Sequence, residues 1–198
     1  MTNNPLKVAL TPYRIILASG SPRRKQFFEE LGIDYEIRIS PVKEEYPQEL
    51  KGSDIAVYLA ELKSSAFTTL KEKDILITAD TIVWHKDTSL AKPEDNNEAF
   101  QMLQQLSNDW HDVITAVCFT TANNKRTVYA KTRVKFKPLT KEEIRFYVET
   151  CKPYDKAGAY GIQDWIGIIG IEEIQGSYAN VVGLPAHLVY KTLMSMVG

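Results

Sequence analysis

The chain is expected to fold as an α/β protein around a mixed β-sheet. Short runs rich in β-branched residues alternate with segments of helical apolar spacing from Arg14 onward. Two longer β-rich runs, His111 to Thr121 and Arg126 to Phe136, flank Asn123-Asn124-Lys125 as the arms of a hairpin. Alternation argues for the α/β class, and the hairpin makes the sheet mixed. No internal repeat, low-complexity tract or linker divides the chain. Its 198 residues suffice for one domain with a real core, or for two small lobes sharing a cleft. Residues 1–13 read as an N-terminal extension and residues 14–198 as a single domain.

Taken in order, Arg14 to Ala18 (RIILA) reads as a buried strand, and the segment after Pro22 as a helix with Phe27, Phe28 and Leu31 on its apolar side. Tyr35 to Ile39 alternates as a second strand. Ser40 to Gly52 is polar and proline-punctuated, hence a loop. Ser53 opens a helix expected to run to about Leu70, with Ile55, Tyr58, Leu59, Leu62 and Ala66 on one face. Ile75 to Trp84 is the strongest strand, interrupted near its middle by Asp80 and Thr81. Asp95 to Leu106 is an amphipathic helix carrying Ala99, Met102, Leu103 and Leu106. Thr140-Lys141-Glu142-Glu143 is a capping-box pattern opening a helix to about Thr150, and Pro185 to Met196 forms the last helix.

Composition narrows the function classes. With 24 basic and 25 acidic residues the formal net charge is -1, so no global field attracts nucleic acid or an anionic membrane. Any affinity for phosphate must be local. Cys118 and Cys151 show no metal or redox spacing, which fits a reduced thiol state, with Cys118 in a core run. The first residues lack a signal-peptide h-region and no stretch reaches membrane-spanning length, so a cytoplasmic protein without a membrane partner is expected.

The chemistry is concentrated in a few places. Leu17-Ala18-Ser19-Gly20-Ser21-Pro22-Arg23-Arg24 joins a strand to a helix, with Ser21 at the N-cap position and Pro22 at the first helical position. Free N–H groups at a helix N-terminus, two hydroxyls and two guanidiniums suit a polyphosphate; the competing reading is an ordinary strand–turn–helix with solvated arginines. Asp80 is an outlier in an apolar strand, as expected if the strand enters a cleft there; the alternative is a strand-end Asp capping a turn. Lys63 lies at the edge of a helical apolar stripe and Lys92 precedes Pro93; taken singly, each also reads as a snorkelling surface residue. Asp155 to Gln163 is rich in glycine and small residues, which lets backbone approach a ligand, and Gly176 to Pro185 is a second such run. His85, His111 and His187 lack zinc-site spacing, Ser19 and Ser21 lack a nucleophile elbow, and there is no P-loop. Asp80 and the pair Glu44-Glu45 are the candidate ligands for a divalent ion shared with substrate phosphates.

The order of these pieces resembles the Maf family, also called septum-formation-inhibitor-like proteins. Its LASxSPRR, LAxxKA, ADT, GKP, DKAGAYGIQ and GSxxNVVGLP segments correspond to Leu17–Arg24, Leu59–Lys63, Ala79–Thr81, Lys92–Pro93, Asp155–Gln163 and Gly176–Pro185. The resemblance implies two lobes around an elongated twisted mixed sheet with a central cleft, the inosine-triphosphatase-like fold, often as a homodimer. It also implies a nucleoside triphosphate pyrophosphatase that releases a nucleoside monophosphate and pyrophosphate. Asp80 then matches the catalytic acid and, with Glu44, the ligand set for Mg²⁺ or Mn²⁺. Ser19, Ser21, Arg23, Arg24, Lys63, Lys92 and Gln163 match substrate-binding positions, and Arg23, Thr81 and Gln163 match positions tied to base preference. The double arginine with Gln163 is similar to the subfamily acting on dTTP and UTP; the sister subfamily is associated with 7-methyl-GTP. Lys43 stands where the family carries an Asp, which leaves the register between Glu44 and Glu45 open. A second reading from another class is a nucleotide-binding regulator of cell division that does not turn substrate over.

Overall fold

The computed structural model describes residues 3–198. Helix α1 (Pro5–Leu10) precedes β1 (Arg14–Leu17), and is capped by Asn4, whose Oδ1 accepts from the Leu6 and Lys7 amides. There follow α2 (Pro22–Glu30), β2 (Tyr35–Ile37), α3 (Ser53–Ser65), β3 (Asp74–His85) and β4 (Thr88–Leu90). Helix α4 (Asn96–Leu106), the hairpin β5 (Trp110–Thr120) and β6 (Lys125–Phe136), and α5 (Lys141–Cys151) come next. The chain finishes with a 3₁₀ turn (Ala157–Ala159), α6 (Trp165–Gly170), β7 (Ile171–Gln175), α7 (Tyr178–Val182) and α8 (Ala186–Val197). None of the described helices is long and apolar enough to cross a membrane.

Local chemistry accounts for most boundaries. The expected capping box is complete: Thr140 Oγ1 accepts from the Glu143 amide, and Glu143 accepts from the Thr140 amide. Asp95 caps α4 by accepting from the Glu98 amide. Helix α3 stops five residues before the expected Leu70, because Phe67 already bonds back to Ser64 O and the β-branched Thr68-Thr69 pair follows. Strand β2 ends at Ile37 rather than Ile39, since its partner β1 ends at Leu17.

The seven strands run in the order β2-β1-β3-β5-β6-β7, with β4 beside β3. β1 pairs parallel with β2 and β3, and every other pairing is antiparallel. The expected interruption of the central strand at Asp80 and Thr81 is absent: β3 continues for 12 residues. What changes is its neighbour. β1 accompanies β3 only from Asp74 to Ile77, and β4 joins only at Val83. Residues 78–82 therefore pair with β5 on one side and, among the described residues, have no strand on the other.

The core is organised around that gap. At one end, α1, α2 and α8 bury Leu6, Phe28, Val189 and Leu193 against Ile15, Leu17, Ile75 and Ile77. At the other end, α4 and α5 bury Leu103, Leu106, Ile144 and Tyr147 against Val83, Val113, Val134 and Phe136. On the opposite face, α3 packs Ile55, Leu59 and Ala60 on Ile82, Ile114 and Cys118. The molecule is thus an α/β fold with two lobes on one continuous mixed sheet, and the unpaired stretch of β3 lies where they meet.

Candidate functional site

β1 delivers its chain to the site and stops: the Ala18 amide donates to Ile77 O, the last link to β3. Ser19, Gly20 and Ser21 turn the chain into α2, the position where ligands approach the carboxyl ends of parallel strands. Ser21 occupies the N-cap with an extended backbone, yet its hydroxyl makes no capping bond and faces the cavity. Ser19 is buried behind the turn, where its Oγ accepts from the Ser21 amide (3.2 Å) and Arg24 Nη1 (3.5 Å). Ser19 does not line the cavity, so it shapes the turn from behind.

Because side chains alternate along a strand, the open stretch of β3 offers Asp80 to one face and Thr81 to the other. Half-buried Arg24 reaches across from α2 and fills the gap that β1 leaves. Its Nη1 donates to Ala79 O (2.8 Å), its Nη2 to Thr81 Oγ1 (3.1 Å) and its Nε to Gly183 O (3.0 Å). Among the described residues, no hydrogen bond of this guanidinium goes to a carboxylate. Burial lowers its pKa, partly offset by the nearby Asp80 charge, but a guanidinium stays protonated in proteins. A cation held by neutral acceptors is ready for an anion.

On the other face, Lys63 projects from the last turns of α3. Its Nζ lies 2.5 Å from Asp80 Oδ1 and 3.0 Å from Glu44 Oε1. Lys63 is thus a bridge between two acids, not a surface residue. Asp80 is 6% exposed; burial pushes its carboxyl above the ordinary range, while Lys63 and Arg24 pull it back down. At Glu44 burial also pushes upward, but Lys63, Lys92 and Arg24 outweigh it and hold the carboxyl below its usual value. Of the two adjacent acids, Glu44 enters the cleft, whereas Glu45 pairs with Lys43 at the exposed surface.

The far wall comes from the second lobe. Lys92, just after β4, and the segment from Asp155 to Gln163 line it. Arg23 crosses the cleft to Asp155 Oδ2 at 2.9 Å, and Lys156 holds the other oxygen at 2.7 Å. Gly158 adopts φ +68, and a side chain there would meet Val83 at 3.0 Å, so the close packing of this segment on β3 needs glycine. Tyr147 fixes the approach to Gln163: its hydroxyl accepts from the Gly161 amide (3.1 Å) and donates to Asp164 (2.7 Å).

The resulting cavity measures about 370 Å³. Five cations (Arg23, Arg24, Lys63, Lys92, Lys156) and three carboxylates (Glu44, Asp80, Asp155) line it, a surplus of two positive charges. The chain as a whole carries -1. Positive potential is concentrated here, beside a buried carboxylate. Apart from Ser19 and the alternative metal ligand Glu45, every residue expected at the site meets in this one cavity.

The family model for Maf-like proteins matches residues 14–196. The chain belongs to the Maf-like family. A Flavobacterium johnsoniae protein named dTTP/UTP pyrophosphatase is 52% identical over 97% of this chain and 100% of its own length. Proteins of the same name from Christiangramia forsetii (52% identity, 96% of this chain, 98% of the relative) and Bacteroides fragilis (45%, 94% and 98%) are also similar. Among solved structures, a HAM1 protein from Coxiella burnetii superposes with a TM-score of 0.50 over 92% of this chain and 99% of that one. At 12% identity that likeness concerns the fold alone, and it agrees with the inosine-triphosphatase-like architecture expected for a Maf-like chain.

Several residues of this Maf-like site are not among those expected to bind substrate. Tyr46, Asp155, Lys156 and Gly183 line the cavity; Asp155 and Lys156 open the small-residue run that ends at Gln163, and Gly183 lies in the run from Gly176 to Pro185. Gly183 contributes a backbone carbonyl, for which no side-chain signal exists. The charges at Asp155-Lys156 were visible, but their pairing with Arg23 depends on the packing of the two lobes.

Proposed function

We propose that this protein hydrolyses dTTP and UTP at the bond between the α and β phosphates, releasing the nucleoside monophosphate and pyrophosphate. The observation that carries this reading is the gathering of five cations around buried Asp80 in a chain with no net positive charge. The names of relatives that match nearly the whole chain point to the same reaction.

The chemistry follows from the arrangement. Ser21, Arg23, Arg24 and Lys92 would hold the phosphate oxygens, restricting the chain of phosphates and neutralising charge that builds on them in the transition state. Asp80 would take a proton from the attacking water as its oxygen bonds to phosphorus. The bridging P–O bond breaks, and pyrophosphate leaves with the electron pair. Burial strengthens Asp80 as a base, and Lys63 works against that rise by favouring the ionised form. Thr81 and Gln163, with Arg23, are the residues proposed to set base preference.

The donor set also fits a divalent ion. Glu44 and Asp80 converge on one ammonium, and hard oxygen donors beside an open phosphate site suit Mg²⁺ or Mn²⁺. When bound, the ion would neutralise phosphate charge and acidify water. Residues 14–198 are proposed to act as one catalytic domain. Both cysteines are free thiols, consistent with the cytoplasm proposed as its compartment.

The test is product analysis with dTTP, UTP, CTP, ATP, GTP and 7-methyl-GTP, with Mg²⁺ or Mn²⁺. Monophosphate and pyrophosphate from dTTP and UTP are expected. Orthophosphate release, or inertness toward all six, would refute the proposal.

A further inference from the structure

Strand β5 carries one hydroxyl in the middle of an apolar stretch, Thr115, which is completely buried. It lies directly opposite Thr81 in the β3–β5 pairing and on the same face. Its Oγ1 donates to Asn180 O at 3.0 Å. A threonine hydroxyl has a single proton, so Thr115 can only accept from Thr81 Oγ1, also 3.0 Å away. The Thr81 proton is thereby committed, and its oxygen is left to accept from Arg24 Nη2 at 3.1 Å. The bonds run in one direction, from Arg24 to Thr81 to Thr115 to the Asn180 carbonyl.

The end of this chain is anchored. Asn180 is fully buried, and its Nδ2 donates to Val113 O and Thr132 Oγ1, both at 3.0 Å. Val113 O can only accept, which fixes the amide orientation and leaves Asn180 Oδ1 without a partner among the described residues. A buried amide that gives up one acceptor to hold this position marks a place where geometry is strongly specified. The Asn180 carbonyl also accepts from the Gly183 amide (3.1 Å), and Gly183 O in turn receives Arg24 Nε. Two routes from α7 therefore converge on one guanidinium.

We propose that Thr115 is a positioning residue for the reaction: it orients the Thr81 hydroxyl and, through it, aims Arg24 into the cleft. The proposal rests on reading the cleft as a nucleoside triphosphate site. Thr115 touches no substrate. Its contribution is to remove the alternative in which Thr81 turns its proton to Gly183 O, 3.5 Å away, and weakens the hold on Arg24.

Two near-isosteric variants separate hydrogen bonding from packing. Thr115→Val keeps the shape and loses the hydroxyl; Thr115→Ser keeps the hydroxyl and loses a methyl. The readouts are kcat/KM for dTTP and, independently of turnover, the affinity for α,β-imido-dUTP measured by calorimetry. Thr115→Val is expected to lose about tenfold in both, as both hydrogen bonds of this hydroxyl are removed and the Arg24 network loses its order, while Thr115→Ser stays within about twofold of wild type. A Val variant equal to wild type, or a Ser variant as impaired as Val, would make Thr115 a packing residue and overturn the proposal. If the wild type hydrolyses no nucleotide, the functional reading fails, and the binding measurements still decide the role of Thr115.

Discussion

Lys63 Nζ lies 2.5 Å from Asp80 Oδ1, so the buried carboxylate of the cleft is paired with a lysine from a different layer of the fold. The pair exists because β3 keeps running after β1 has turned away, exposing Asp80 under the end of α3. Two carboxylates share this lysine, and a triphosphate with its counter-ion would compete for all three groups. The two acids are therefore partly compensated before substrate arrives, at the expense of burying charge.

Replacing Asp80 by Asn tests that expense. The folded environment pushes the Asp80 carboxyl upward, so its ionised form opposes folding at pH values above its folded-state pKa. Asp80→Asn is expected to lose about a thousandfold in kcat while its melting temperature stays equal or rises. Steady-state kinetics and calorimetry on the same preparation check both halves.

Lys63→Met is expected to reduce kcat/KM for dTTP by about a hundredfold. Lys63 pulls the Asp80 carboxyl down against burial, so its loss lets that carboxyl rise further. The acid limb of the kcat/KM profile should then move to higher pH. An unmoved limb would remove Asp80 from that ionisation.

Arg24 makes bonds in three directions, to Ala79 O, Thr81 Oγ1 and Gly183 O, which a single ammonium cannot reproduce. Arg24→Lys keeps the charge and should still lose about a hundredfold in kcat/KM. Kinetics beside circular dichroism would show whether charge alone is enough.

A fourth expectation concerns stability. Asp74 is 2% exposed and accepts from Arg14 Nε (2.8 Å), Arg14 Nη2 (2.6 Å) and the Lys71 amide (2.9 Å), which hold its carboxyl below the ordinary range. Arg14→Ala leaves this buried carboxylate without its guanidinium partner and should lower the urea-denaturation midpoint at neutral pH. A depressed folded-state pKa gives stability that is present above the unfolded value of about 3.9 and is lost as pH falls through the folded one. The difference between variant and wild type should therefore shrink in acid.

The legible parts of this protein are those in which local pattern and tertiary role agree. Ala99, Met102, Leu103 and Leu106 are the buried face of α4, and Thr140 and Glu143 form the capping box their spacing announces. The short elements were hidden. β7 (IEEIQ) has no buried residue and no apolar alternation, while α6 and α7 run for six and five residues, too short for a helical period to register. Asp80 stands out as a carboxylate in an apolar strand and does lie in a cleft, as that pattern predicts. What the pattern does not show is that the strand runs on and the cleft opens because its neighbour leaves. Thr115 and Asn180 carry no signal of their own, because a threonine in a strand and an asparagine in a turn are ordinary until the register places them together.

The most direct test is to incubate dTTP with wild-type protein and with Asp80→Asn in parallel and to resolve the products. Wild type should yield dTMP and pyrophosphate in equal amounts, and the variant almost none. Release of dTDP and orthophosphate, or equal rates for the two proteins, would contradict Asp80-dependent cleavage between the α and β phosphates.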